Sequence, residues 1–198
     1  MYSLTGSGQI SCRKDNLDAY GNSNLRGSHH NFANNIKEAQ DLFFKAWGFY
    51  STTFIAPCYI WHPNLEPILA QNHILGIQGT HVQRVPIANG SHIKKKYHFT
   101  GQKNSLGQKY LNRNVIFEPT ENPNINAVNE AINQINLAFK YRKPAIISSH
   151  RVNYIGSLNA NNRTQNIKKL DNLLTSITRR WSDVEFMSSD QLINLINK

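Results

Sequence analysis

Apolar residues recur along the chain in two patterns, and these patterns predict a series of helices and short strands. Spacings of three and four predict helices over 32–47, 63–72, 124–141 and 163–181, and a last helix after Ser188. Short apolar runs predict strands over 51–56, 74–78, 114–117, 145–149 and 184–187. Residues 80–112 show no clear element, and we expect them to form one long connection.

The helical faces also specify the expected core. Trp47 ends the first apolar stripe and is expected to be buried with it. The helix over 163–181 is expected to bury five apolar side chains, namely Ile167, Leu170, Leu174, Ile177 and Trp181. Ser188 followed by Gln191 three residues later is a capping box that predicts where the last helix begins.

The alternation of helices and strands predicts an α/β fold with about five parallel strands and helices packed outside, either open or closed into a barrel. Residues 1–30 are rich in Gly, Ser and Asn without periodicity, so we expect an irregular leader before one domain over 31–198. His29 and His30 lie in this leader. Since adjacent residues of an extended chain point to opposite sides, a structural role is favoured over metal binding.

Polar and aromatic residues follow the predicted strands, where parallel sheets place their sites. Glu118 and His150 follow consecutive strands and would form a carboxylate–imidazole pair for acid–base chemistry, although a purely structural histidine is equally compatible with this position. Arg151 and Asn153 come directly after His150 and are candidate substrate-binding residues.

The other candidate substrate-binding residues precede the third predicted strand. Tyr59 and Trp61 would either stack on a sugar or cover the core, and the sequence leaves both open. The long connection adds His98 and Lys103, because connections of this length are usually functional or disordered.

Composition changes this interpretation little. The net charge is +10, but Lys and Arg are dispersed except at Lys94–Lys96, so charge alone supports a nucleic-acid partner only weakly. Cys12 and Cys58 have no metal-ligand spacing and are expected to be reduced thiols, which fits a cytoplasmic protein. No signal peptide or membrane-spanning stretch is evident, so no membrane partner is expected.

Several segments together resemble the polysaccharide deacetylase (NodB-like, carbohydrate esterase family 4) superfamily. They are FIAPCYIWHPNLE, TGQKN, NVIFEPT, and PAIISSHRVNYIGSLNANNR followed by a helix and DVEFMSSDQL. The resemblance runs from about Phe32 to the end of the sequence. It implies an incomplete (β/α) barrel lacking the first strands, and removal of acetyl groups from a polysaccharide by a metal-bound water.

Carried over residue by residue, the resemblance places His150 at the position of the family's general acid. The family's Arg-x-Pro-Tyr motif falls on Ile55–Cys58, where only the proline matches. The paired aspartates and the His-[Ser/Thr]-x-x-His metal motif have no counterpart. We therefore expect no metal ligands and no evident cofactor. A zinc-like divalent ion is expected only in a full-length relative.

The resemblance therefore implies a truncated or degenerate deacetylase with weak or no activity on an oligosaccharide or polysaccharide. The alternative is a carbohydrate-binding protein without catalysis on the same scaffold, which would use Tyr59, Trp61 and a basic rim to hold an acidic glycan. Without a barrel strand beside 51–56, that strand would be left at an exposed edge, and self-association through it is expected.

Overall fold

The computed structural model describes residues 28–87, 92–121, 124–157 and 159–196. In chain order the elements are α1 (Ser28–Trp47), β1 (Thr53–Ile55), α2 (Leu65–Gln71), β2 (Gly76–Gly79), β3 (Val82–Ile87), β4 (His92–Tyr97), β5 (Lys109–Asn112), β6 (Val115–Ile116), α3 (Ala127–Lys140), β7 (Ile147–Ser148), α4 (Ala160–Arg180) and α5 (Ser189–Ile196). Short 3₁₀ turns cover Pro57–Tyr59 and Arg151–Tyr154.

The described residues divide into two compact units. Unit 1 comprises those up to Asn112 together with those from Met187 onward, and unit 2 is Arg113–Phe186. The expected leader lies outside the described residues except for 28–30, which begin α1 and are helical instead of irregular.

Unit 1 is built on a three-stranded parallel sheet in the order β1–β2–β5. Phe54 lies opposite Ile77, and Ile77 lies opposite Tyr110. The apolar side chains of this sheet form one core with residues from the helices and from the loop after β1: Ile36, Ala56, Trp61, Leu65, Leu69, Ile74, Ile77 and Tyr110.

The central strand β2 begins and ends with glycine, and other elements pack against both ends. A Cβ at Gly76 would overlap Ile193 of α5, so this contact requires the missing side chain. A Cβ at Gly79 would lie 3.6 Å from the Trp61 ring, an ordinary van der Waals distance. One half of the capping box predicted for α5 is present, since the backbone N–H of Ser188 donates to Gln191 Oε1 over 2.8 Å, and the Ser188 hydroxyl donates to the same oxygen over 3.0 Å.

Unit 2 packs α3 and α4 around the two-stranded parallel sheet β6–β7. Val115 lies opposite Ile147 in this sheet. Asn126 and Asn159 cap α3 and α4 by accepting hydrogen bonds from backbone N–H groups of the first turn. The core consists of Val115, Phe117, Ala131, Ile132, Ile135, Leu173 and Ile177.

The α/β prediction is confirmed at the level of parallel strands with helices, but the described strands form three separate sheets and close no barrel. The prediction that 80–112 form one long connection is wrong, because these residues contain the antiparallel hairpin β3–β4 and the parallel strand β5. The strand predicted over 184–187 is also wrong, since these residues have no regular structure. Five strands do pair in parallel, but β5 takes the place of the fifth predicted strand.

Several expected burials also differ. Trp47 is 68% exposed, and Ile167 and Leu174 are exposed on α4. Leu173, which was not expected in the core, is buried on this helix.

Cys58 is disulfide-bonded, so the reduced-thiol prediction is wrong for this residue, and Cys12 lies outside the described residues. No helix in the described part of the chain combines the length and the apolar character that crossing a bilayer requires.

Candidate functional site

The two predicted acid–base residues meet in unit 2 at the ends of paired strands. Glu118 lies two residues after β6, and His150 lies two residues after β7. Because these strands run parallel and in register, with the Phe117 N–H donating to the Ser148 carbonyl over 2.8 Å, the residues that follow them emerge side by side. The predicted proximity of Glu118 and His150 is therefore confirmed.

The imidazole of His150 is held by the Glu118 carboxylate. His150 Nδ1 lies 2.6 Å from Glu118 Oε1, and the His150 backbone N–H donates to Oε2 over 3.3 Å. The His150 side chain is 64% exposed, whereas that of Glu118 is 11% exposed. The carboxylate is thus fixed inside the unit and the imidazole faces solvent.

Asn153 holds the carboxylate from the other side. Its Nδ2 donates to Glu118 Oε2 over 2.6 Å and to the His150 carbonyl over 2.8 Å. Its Oδ1 accepts the Thr120 backbone N–H over 3.1 Å. Asn153 is fully buried, so this amide joins the ends of both strand extensions inside the unit.

Two asparagines on α4 hold the segments that carry Glu118 and Asn153 by hydrogen bonds to Thr120 and to backbone carbonyls of the 3₁₀ turn. Asn166 donates to the Asn153 carbonyl over 3.0 Å and to Thr120 Oγ1 over 2.8 Å. Asn162 accepts from Thr120 Oγ1 over 2.9 Å and donates to the Val152 carbonyl over 3.0 Å. Sequence reasoning missed both residues. Their signal was two Asn four residues apart at the start of a helix, on one face of its first turns.

This geometry fixes which nitrogen of His150 is available for chemistry. Glu118 Oε2 accepts the N–H of Asn153 and of the His150 backbone, and we assign His150 Nδ1 as the donor to Oε1, because a carboxylate acts as an acceptor. In the neutral ring Nε2 then has a free lone pair, and within the described residues it makes no hydrogen bond. A nitrogen of this kind accepts and returns a proton, as in acid–base catalysis.

The neighbours of His150 have separate roles. Arg151 begins the 3₁₀ turn and is exposed, so it is available to a ligand, whereas Asn153 is buried and acts on Glu118. Ser149 Oγ lies 2.7 Å from the Tyr154 hydroxyl. No hydrogen bond joins Ser149 to the imidazole among the described residues, so the arrangement is not a serine–histidine nucleophile pair.

The remaining candidate substrate-binding residues lie in unit 1. Trp61 is 1% exposed and His98 is 5% exposed, so both lie in the interior and direct contact with a sugar is incompatible with their burial. Tyr59 is half-buried against the core, with a backbone φ of 59° in the left-handed region. Of these four residues only Lys103 is exposed. The sequence left open whether Tyr59 and Trp61 stack on a sugar or cover the core, and the burial of Trp61 shows that this residue belongs to the core.

The buried polar residues of unit 1 form a network of their own around Glu66. Its carboxylate accepts from Trp61 Nε1 over 3.2 Å, from the Tyr110 hydroxyl over 2.9 Å and from Asn104 over 2.9 Å. Burial, together with the adjacent Glu66 charge, raises the pKa of Tyr110 well above its usual range. Three donors compensate the buried carboxylate, which explains how the core tolerates it.

His98 completes this network by stacking on Tyr110 with ring centroids 3.6 Å apart. Its Nε2 lies 2.7 Å from Gln83 Oε1, while Gln83 Nε2 donates to the Trp61 carbonyl over 2.9 Å. Burial lowers the pKa of His98, and the Lys96 charge lowers it further. The ring is therefore neutral at pH 7 with its proton on Nε2, and its role is structural.

The described residues do not fit the metal that the resemblance implies. Among them no three His, Cys, Asp or Glu side chains converge to hold an ion, and Nδ1 of His150 is already bonded to Glu118. The chemistry available at this site is therefore that of the Glu118–His150 pair.

Comparisons with protein-family models, with curated proteins and with solved structures found no match for this chain.

Proposed function

We propose that this chain is a carbohydrate O-acetyl esterase of the polysaccharide deacetylase type, with His150 as the general acid–base. The observation that carries the proposal is the 2.6 Å contact between His150 Nδ1 and the buried Glu118 carboxylate, with the rest of the imidazole open to solvent. The resemblance around PAIISSHRVNYIG supports the substrate class, since it places His150 at the position of the family's acid.

The proposed reaction moves one proton through Nε2 of His150. Nε2 removes a proton from a water molecule as the water oxygen bonds to the acetyl carbonyl carbon. The same nitrogen then returns the proton to the sugar oxygen as the ester bond breaks, releasing acetate. Glu118 stabilises the imidazolium that forms between these steps, and Asn153 keeps the carboxylate in place.

An ester is a better substrate for this pair than an amide. A sugar alkoxide leaves the tetrahedral intermediate more readily than an unprotonated amide nitrogen, and the described residues do not provide the metal ligands with which amide hydrolysis is usually assisted. We therefore propose slow release of acetate from O-acetylated xylooligosaccharides. Release from N-acetylated chitohexaose is expected to stay at background.

The test compares acetate release by the wild-type chain, His150→Gln and Glu118→Gln. His150→Gln should lose about 100-fold or more of the rate, because general acid–base catalysis typically contributes that much. Glu118→Gln should also be slower, since a neutral amide cannot stabilise the imidazolium. His73→Asn is the matched control. His73 is exposed and lies in unit 1, and Asn readily adopts the positive backbone φ that this position has. An unchanged rate in His150→Gln, or no release from the xylooligosaccharide, would contradict the proposal.

A carbohydrate-binding protein without catalysis is less well supported. This alternative used Tyr59 and Trp61 together with a basic rim, and Trp61 is buried, so the aromatic part of the expected binding surface is not accessible as expected.

A further inference from the structure

The β3–β4 hairpin carries a concentration of positive charge that the proposed reaction does not use. Between Glu66 and Glu118 the sequence has no acidic residue, yet it contains Arg84, Lys94, Lys95, Lys96, Lys103, Lys109 and Arg113. The first four of these lie in the two strands of the hairpin and are exposed. No carboxylate in the described part of the chain forms a salt bridge with them.

The pairing register brings like charges together. Arg84 lies directly opposite Lys95, and side chains at opposed positions share one face of an antiparallel pair. Two cations in this arrangement repel each other, which destabilises the hairpin unless an anion lies between or beside them. Lys94 and Lys96 occupy the other face, about 7 Å apart at the spacing of alternate strand residues.

Exposed rings flank these cations. Tyr97 is 63% exposed at the end of β4, and its ring centroid lies 6.2 Å from that of His81. Phe99, two residues further on, is 66% exposed. Arg84, Lys95 and Tyr97 lie on one face of the hairpin, Lys94 and Lys96 lie on the other, and Phe99 follows its end. These six exposed residues, which we call the hairpin surface although they occupy both faces, combine charge with accessible aromatic rings.

The hairpin is firmly attached to unit 1, so its surface is held in one orientation. Gln83 is fully buried and bonds both to the Trp61 carbonyl and to His98. The Trp61 backbone N–H donates to the Arg84 carbonyl over 3.2 Å. The cations are thus displayed on a fixed support, which lowers the entropy lost when a ligand binds.

From these observations we infer that the hairpin surface binds a polysaccharide that carries carboxylate groups. This inference rests on the proposed function, which makes a glycan the substrate, and it specifies the glycan as acidic. Three of the four cations are Lys, whose compact ammonium pairs with isolated carboxylates without needing the bidentate geometry that favours Arg in nucleic-acid recognition. The exposed rings of Tyr97 and Phe99 offer flat apolar faces to sugar rings.

Fluorescence anisotropy with a labelled decamer of polygalacturonate tests the inference directly. The triple variant Lys94→Gln, Lys95→Gln, Lys96→Gln should bind at least about tenfold more weakly than wild type, with a shallower dependence on salt. The matched control removes three exposed lysines from unit 2, namely Lys140→Gln, Lys143→Gln and Lys168→Gln. This control has the same net charge and should bind within about threefold of wild type.

Further measurements separate the ligand class from general charge attraction. Replacing Tyr97 and Phe99 by Ser should weaken binding of the polygalacturonate decamer with little change in its salt dependence. A single-stranded dT oligomer of equal charge should bind more weakly than the glycan, and tighter binding of the dT oligomer would overturn the inference. Equal weakening by the unit 1 and unit 2 triple variants would overturn it as well.

The His150→Gln variant keeps this test distinct from that of the proposed function. It should bind polygalacturonate like wild type, because His150 is not part of the hairpin surface. Binding by both proteins without acetate release would reject the esterase and leave the hairpin surface supported. Acetate release without binding of the decamer would overturn only the inference about the hairpin.

Discussion

At the scale of single residues, Asn153 is the side chain on which the arrangement of Glu118 and His150 depends most. It is fully buried, and its amide donates to Glu118 and accepts from Thr120 at the same time. A replacement that keeps its shape but not its donor leaves Glu118 Oε2 with only the longer 3.3 Å contact from the His150 backbone N–H, in a carboxylate that is only 11% exposed. Such losses are larger than the net contribution of an ordinary hydrogen bond.

We therefore expect Asn153→Asp to lower the free energy of unfolding at pH 7 by about 2 kcal/mol or more. The new carboxylate would lie 2.6 Å from Glu118 Oε2, where the amide now donates. The loss should diminish in acid, once one of the two carboxyl groups is protonated. Urea unfolding at pH 7 and pH 4.5 measures both effects. Asn161→Asp, an exposed control in the first turn of α4, should be neutral or slightly stabilising, and an equal loss in both variants would contradict the prediction.

His98 gives a second prediction at this scale, concerning pH. Burial and the Lys96 charge lower its pKa below the ordinary value of 6.5, while the Glu66 charge opposes this. The unfolded chain therefore binds a proton at a higher pH than the folded one. The stability contributed by neutral His98 is complete above pH 6.5 and is lost as the pH falls toward the lowered folded pKa.

The measurement is the slope of unfolding free energy against pH between 7 and 5. His98→Phe keeps a ring between Trp61 and Tyr110 but cannot bind a proton, so its slope should be smaller than that of wild type even though its stability at pH 7 is lower. His73→Asn, a substitution at an exposed position of the same unit, is the control measured beside it. Equal slopes in wild type and His98→Phe would show that His98 does not titrate differently in the folded chain.

At the scale of secondary structure, periodicity predicted the helices well because each has an apolar stripe, and α3, α4 and α5 also begin at a residue that caps the first turn. The strands were harder. The two-residue strands β6 and β7 lie within predicted apolar runs, but β5 reads Lys-Tyr-Leu-Asn without alternation and was missed together with β3 and β4. Lys109 is buried in β5 and its Nζ donates to the Ile196 carbonyl over 2.8 Å, a partner that lies far away in the sequence. Such long-range pairing cannot be derived from local pattern.

The missed hairpin did have a local signal. Asn89-Gly90, the dipeptide typical of tight hairpin turns, lies between the segments that become β3 and β4.

In the candidate site, the proximity of Glu118 and His150 could be predicted from the order of the strands that they follow. The contributions of Asn162 and Asn166 could not, because an asparagine on a helix carries no indication of which loop it will contact. The burial of Trp61 depended on Glu66 as a partner for its indole N–H.

Close packing between elements gives a prediction for Gly76. A methyl group at this position would overlap Ile193, whose side chain is buried against β2. Gly76→Ala is expected to destabilise unit 1 by about 1–3 kcal/mol, the usual range for overpacking a core. Thermal unfolding of the double variant Gly76→Ala, Ile193→Val should show part of this loss restored, because the shorter side chain leaves room for the methyl group. Strictly additive losses would mean that the overlap with Ile193 is not the cause.

At the scale of the whole chain, unit 1 is assembled from the first and last parts of the described sequence. Unit 2 occupies the chain between them, from Arg113 to Phe186. Helix α5 returns to the parallel sheet, where it buries Leu192 and Ile193 and its last turn accepts the Lys109 ammonium. The sheet of unit 1 therefore depends on residues that are synthesised after all of unit 2.

Ending the chain after Ser188 is accordingly expected to loosen the core of unit 1. Trp61 reports on this core because it is buried, so the measurement uses a chain in which Trp47 and Trp181 are replaced by Phe. The truncated chain should show red-shifted Trp61 emission and a lower melting temperature, because the faces of β2 and β5 that α5 covers become hydrated. Ile193→Ala should shift the melting temperature in the same direction by a smaller amount, and Leu195→Ala, on the exposed face of α5, should have little effect. If the truncated chain kept the emission and melting temperature of its parent, α5 would not be part of the core of unit 1.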